Sequence, residues 1–260
     1  MDHGFSFASV ILSYFLVGGG MFTAALVGHQ LPLSGALEAG GVLTAGAFAG
    51  GFVAARASRG QTILEPVIGA IAVIGTIVAL AAATPLGKLI WAMAQDQTTT
   101  FVGAVGATGI VGALIGALVG EKLFGEATQS SIPWLLYAAL SVFGASLLAL
   151  LCASIVVFGR AQVDQRQTTL DLGQVLLIGI GAGCLLAGLA IGASARTRPL
   201  FASLLGGGLG VAGFFALVTR ASPPDKDAAA GVAILAAGGA LVTLIGTALG
   251  WSMFGRRGAA

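Results

Sequence analysis

The chain is short of charge. Asp, Glu, Lys and Arg make up 8% of its 260 residues, against about a quarter in a soluble domain. A soluble fold of this length could not clothe its exterior with so few ionised groups, which excludes a free-standing soluble enzyme or binding module. Histidine and cysteine are equally scarce, with two of each. His3 and His29 stand at opposite ends of the first apolar segment, so they cannot face each other across a bundle as paired haem ligands would. Cys152 and Cys184 lie within apolar segments, where a thiol acts as a small packing group and no disulfide is expected. No Cys/His/acid cluster has metal-ligand spacing, and no nucleophile, base and orienting group fall together. The expectation is therefore no metal, no cofactor and no catalysis. A formal charge of +2 without any Lys/Arg-rich tract argues against a nucleic-acid partner.

What the chain has is apolar length. Hydrophobic residues are 57% of it and mean hydropathy is +1.00. The apolar runs reach the ~20 residues that a helix needs to cross ~30 Å of hydrocarbon, and a helix satisfies its own backbone amides there. Eight spans are expected, near residues 5–27, 33–55, 63–84, 101–120, 133–158, 170–193, 200–219 and 228–254. Turn chemistry divides them. Pro32 and Pro85 break helix, Pro133 suits a first helical turn, and 86–95, with Lys88 and Trp91, reads as an interfacial piece. MDHGFSF carries no basic region ahead of the first apolar run, so that span is expected to be retained. The fold class is an all-α integral membrane protein.

A weak internal echo organises the spans. AGGFVAARASRGQTILEPVIGAIAVIG from Ala49 matches AGLAIGASARTRPLFASLLGGGLGVAG from Ala187 at Ala49, Gly50, Ala55, Ala57, Gly69, Val73 and Gly75, an offset of 138. LIGALVGEKLFG from Leu114 meets LIGTALGWSMFG from Leu244 at an offset of 130. Both point to two tandem four-helix units, 1–128 and 129–260. An even number of spans per unit makes the repeats parallel. Basic residues then set orientation. Arg56, Arg59, Lys122, Arg196, Arg198, Arg256 and Arg257 share the N-terminal side, and Lys88, Arg160, Arg166, Arg220 and Lys226 the other. The two positive hairpins, Arg56/Arg59 and Arg196/Arg198, recur in both units and favour cytoplasmic termini in the cell membrane. The setting is that of a bacterial inner membrane.

Glycine, 42 residues, is more than twice the usual share. Gly46/Gly50, Gly112/Gly116/Gly120, Gly188/Gly192, Gly206/Gly210 and Gly246/Gly250 recur every fourth position. That spacing puts them on one helix face, where backbones can approach closely. Span five, with Leu147 to Leu151 and little glycine, is expected to face lipid. Gly206-Gly207-Gly208-Leu209-Gly210 lies inside an apolar span, so its glycines read as packing and not as a phosphate loop.

Few residues can carry chemistry. Glu65, ahead of Pro66, starts span three, where the positive end of a helix favours a carboxylate and Arg56 or Arg59 can pair with it. Glu38 lies about one turn into span two. Either acid is a candidate ion or proton site by its depth, and the counterpart of Glu65 in the second unit is Ser203. Thr44, Thr76, Thr108, Ser141, Ser146, Thr243 and Thr247 read as interhelical hydrogen-bonders, with Thr44 and Thr76 as candidate lining of a solute path. The leading reading is a non-catalytic subunit or scaffold of a membrane assembly, its partners the lipid bilayer and other membrane-protein subunits. The alternative is a transporter or channel for a small neutral or weakly charged solute, with its site between the two units.

Overall fold

The structure, a computed structural model, describes residues 5–28, 36–57, 63–83, 95–124, 131–164, 171–195, 199–219 and 226–254. Among these the chain is all helical, with eight helices: α1 (Phe7–Gly28), α2 (Ala36–Ala57), α3 (Leu64–Ala83), α4 (Gln95–Phe124), α5 (Ser131–Asp164), α6 (Leu172–Ser194), α7 (Leu200–Thr219) and α8 (Lys226–Phe254). One stands at each expected span. Five carry stretches long and apolar enough to cross a membrane: α1, α5 over Trp134–Val157, α6, α7, and α8 over Ala229–Phe254. α3 supplies a shorter apolar stretch, Leu64–Leu80. The architecture is that of an α-helical membrane protein. Pro85, Lys88 and Trp91 lie outside the described residues.

α4 and α5 outrun the spans expected of them. They have 30 and 34 residues, about 45 and 51 Å at 1.5 Å per residue, more than the hydrocarbon needs. The polar stretches Gln95–Thr100 and Arg160–Asp164 continue the helices. A polar side chain is no obstacle to helix where water can reach it, so the sequence's polarity marks the membrane edge and not the helix end.

The helices pack in a connected order. α2 lies along α1 and α4, α3 bridges α1 and α4, α6 lies along α5 and α8, and α7 bridges α5 and α8. α1 also packs on α5 and α6, so the first helix touches four others extensively. α1 and α5 run in the same direction. Leu12 and Leu16 cluster with Tyr137 and Ala138, and further along both helices Gly19 meets Gly144.

Span five is not the lipid-facing helix expected of it. Leu147, Leu148 and Ala149 of α5 are buried with Phe15, Val142, Cys184, Val211 and Phe214. The correction has a physical reason. Lipid tails are as apolar as leucine, so hydropathy cannot separate a helix at the centre of a bundle from one at its rim. The side chains turned outward are instead Ile71 of α3, Ile178 of α6, Phe201 and Leu209 of α7, and Ile234, Leu241 and Ile245 of α8. Both cysteines are free thiols.

Glycine sets the spacing of these contacts. A methyl group on Gly19 would sit 2.6 Å from the Cα of Gly144, nearer than carbon atoms approach. Gly116 and Gly120 of α4 lie against the Phe48 and Phe52 carbonyls of α2, and Gly192 and Gly250 make the same kind of contact between α6 and α8. Other glycines have open space, among them Gly75, Gly231 and Gly238.

This difference yields a paired expectation. Gly144→Ala puts a methyl against the Phe15 carbonyl and should lower the thermal unfolding midpoint in detergent, overpacking costing about 1–3 kcal/mol. Gly75→Ala meets nothing and should be neutral or stabilising by up to about 1 kcal/mol, since alanine is the better helix former. A midpoint unchanged by Gly144→Ala would show that the α1–α5 contact is looser than described.

Candidate functional site

The most unusual polar group in the bundle is Glu65, which is fully buried in the first turn of α3. Its Oε1 accepts the backbone N–H of Ser6 at 2.7 Å, the residue immediately before α1. The Ser6 hydroxyl in turn accepts from the Ser9 N–H at 3.4 Å, and the Ser6 carbonyl accepts from the Val10 N–H at 3.2 Å. Ser6 is thus the N-cap of α1. In a capping box the acid that satisfies the cap's own N–H sits three residues on in the same helix. Here that position is Ser9, and a different helix supplies the carboxylate.

α1 and α3 are parallel at this point, since Ser6 meets Glu65, Ser13 meets Gly69 and Gly18 meets Val73. The carboxylate therefore lies at the N-terminal ends of two helices at once. Each end carries roughly half a positive charge from its aligned peptides. Two such ends offset part of the several kcal/mol that burying a carboxylate costs. Serine lines the seam between the two helices: Ser9 and Ser13 are buried, and the Ser13 hydroxyl donates to the Ser9 carbonyl at 2.7 Å. The Ser9 hydroxyl, one turn below the Ser13–Gly69 contact, is buried without a hydrogen-bond partner, as is that of Ser194. Ser203 in α7 is also buried, and its hydroxyl donates to the Pro199 carbonyl at 2.7 Å.

Glu38 falls in the first turn of α2, but its side chain lies outside the described residues, as do Arg59, Arg196 and Arg198. Arg56, in the last turn of α2, brings its guanidinium beside the Tyr137 hydroxyl of α5. Trp134 packs edge-on against that tyrosine, with ring centroids 5.7 Å apart. Among the described residues no group of three His, Cys, Asp or Glu side chains could hold a metal ion.

Five of the span hydroxyls expected to bond between helices donate within their own helix. Thr44 donates to the Gly40 carbonyl, Ser141 to Tyr137, Ser146 to Val142, Thr243 to Gly239 and Thr247 to Thr243, all at 2.6–2.9 Å and all one turn back in the same helix. In hydrocarbon the carbonyl four residues back is always within reach, so a hydroxyl finds it without any help from a neighbouring helix. Thr76 makes the same bond to Ala72 at 2.8 Å, and it also accepts from the Tyr14 hydroxyl of α1 at 3.2 Å. Tyr14, Tyr137, Ser6 and Ser9 escaped the sequence reading. Both tyrosines of the chain turn out to sit at helix–helix contacts, a signal available from their rarity within apolar runs.

One cavity adjoins these contacts. A groove of about 510 Å³ runs between α1, α2 and α5, floored by Gly19, Gly20, Gly46 and Gly50 and edged by Val27 and Val53. Its single hydroxyl, Thr23, donates to the Gly19 carbonyl at 2.7 Å.

No protein-family model, curated protein or solved structure matches the chain. The reading of its function rests on this geometry.

The Glu65 contact can be weighed directly. Glu65→Ala removes the acceptor of the Ser6 N–H and should cost about 1–3 kcal/mol, lowering the unfolding midpoint in detergent. Glu65→Gln keeps an acceptor and should lose less. Equal midpoints for Glu65→Ala and the parent protein would show that the cap contributes nothing.

Proposed function

We propose that this protein is a non-catalytic component of a membrane assembly, a subunit or scaffold, built from two parallel four-helix units, 1–128 and 129–260. The observation that carries the reading is the seam between the units, where the α1 backbone at Gly19 lies against that of α5 at Gly144 and the groove beside it is apolar apart from Thr23. A solute site between repeats would need space and polar groups there. The hydroxyls of Ser141, Ser146, Thr243 and Thr247 are spent on their own helices, which fits a body made for packing.

The duplication draws support from equivalent contacts. Gly51 on Ala113 corresponds to Gly188 on Thr243, Gly116 on Phe48 to Gly246 on Leu185, and Gly46 on Gly20 to Gly183 on Ala145. Gly69 on Ser13 corresponds to Gly206 on Ala138, and Gly109 on Ile74 to Gly239 on Val211. From 51 to 188 and from 69 to 206 the offset is 137, one residue from the register of the sequence echo. From 113 to 243 it is 130 and from 20 to 145 it is 125. In this register Ala202, not Ser203, stands opposite Glu65.

The alternative, a transporter or channel for a small solute, draws on the groove between α1, α2 and α5, whose lining is apolar apart from Thr23. Vesicles containing the purified protein should shrink and swell in glycerol or urea gradients no faster than protein-free vesicles. Extraction from its own membrane in mild detergent should bring a stoichiometric partner. Solute flux above the protein-free control, lowered by Glu38→Gln or Glu65→Gln, would establish the transporter instead.

The orientation proposed, with both termini in the cytoplasm of a cell whose inner membrane holds the protein, predicts reporter behaviour. A fluorescent protein fused after Ala260 should fluoresce, and alkaline phosphatase fused there should be inactive. The reverse pattern would invert the topology.

A further inference from the structure

Independently of that reading, we propose that the seam between α1 and α3 holds one buried water molecule, which accepts from the Ser9 hydroxyl and donates to the Glu65 carboxylate. Ser9 is 1% exposed and its hydroxyl has no hydrogen-bond partner, a costly state in apolar surroundings. Its position in the helix explains why it differs from the other buried hydroxyls. Ser13, Ser141 and Ser203 each donate to the carbonyl four residues back. Ser203 is the near match, because its acceptor Pro199 stands directly ahead of α7. A carbonyl at that cap position still belongs to the helical array. Four residues back from Ser9 is Phe5, one place ahead of the cap Ser6, so its carbonyl falls outside the array. The Ser6 carbonyl is engaged by the Val10 N–H at 3.2 Å. Ser9 stands one residue too early in α1 to be satisfied by its own helix.

A carboxylate lies across from it. Ser9 is one turn before Ser13 on the same face of α1, and Glu65 is one turn before Gly69 on α3. The helices run parallel with Ser13 against Gly69, which brings Ser9 to the level of Glu65. The carboxylate already reaches the first turn of α1, where its Oε1 accepts the Ser6 N–H at 2.7 Å, and a carboxylate can accept from several donors. Glu65 and Pro66 are themselves fully buried. The occupant has to be small, since a methyl on Gly69 would meet the Ser13 Cβ at 2.8 Å one turn further on. It also has to accept from a hydroxyl and donate to a carboxylate. The positive ends of α1 and α3 disfavour a cation there, and Glu65 repels an anion. Water meets both requirements, and buried waters occur where otherwise unsatisfied polar groups converge. It joins Ser9, Glu65 and the Ser6 cap into one polar unit that fastens α1 to α3.

The test pairs a structure of the protein in lipid nanodiscs, at a resolution that shows ordered water, with thermal unfolding in detergent. One density peak is expected within hydrogen-bond distance of both Ser9 Oγ and a Glu65 carboxylate oxygen. That peak is read on the parent protein and needs no variant to fold. Ser9→Ala should lower the unfolding midpoint by about 2–4 °C, and in a Glu65→Ala background by roughly half of that or less. An orphaned hydroxyl predicts the opposite sign, because alanine removes an unmet polar group and is the better helix former. A site without the peak, a Ser9 hydroxyl turned onto the Ser6 carbonyl, or a midpoint raised by Ser9→Ala would each overturn the proposal. Equal losses in the two backgrounds would do the same, since Ser9 would then act without Glu65. So would a midpoint that rises with sodium chloride and not with choline chloride, which would give the site to a cation.

Discussion

Everything in this bundle depends on how closely two helix backbones can lie. In water, helices are driven together by the removal of apolar surface, but between lipid and leucine that gain vanishes. What remains is dispersion, which is worth only ~0.1–0.2 kcal/mol per atom pair and must be collected over many pairs at near-contact distance. Glycine makes that distance available. Gly19 against Gly144, Gly116 against Phe48 and Gly192 against Thr247 are places where any side chain would push the pair apart.

Close packing also decides where polar groups can go. With the backbones in contact there is little room for a hydroxyl to reach across, and Thr44, Ser141 and Thr243 fold back onto their own helices. Contacts that do cross between helices include Arg56 to Tyr137, Tyr14 to Thr76, and Ser6 to Glu65. Each ties α1 or α5 to a neighbour.

The helices themselves were legible from residue type. Apolar runs of membrane length gave eight elements with boundaries mostly within a few residues, because hydrocarbon permits little except helix. The position of Glu65 in a first turn was legible too, since the acid precedes a proline. Its partner was not. Ser6 lies 59 residues away, and nothing in either stretch marks the other. The central place of α5 was hidden for a different reason: Leu147 and Leu148 look the same to a hydropathy scale whether they meet lipid or Phe15.

α1 leaves the ribosome ahead of α2 to α8, yet its seat is finished by α5 and α6, which follow more than a hundred residues later. In the interval its Leu12, Phe15 and Leu16 face acyl chains instead of protein. An aqueous protein would be punished for such a delay by sticking to its neighbours. In a bilayer the waiting surface is already among its own kind, so synthesis can proceed helix by helix, with the centre of the bundle assembled late around a helix inserted ahead of its partners.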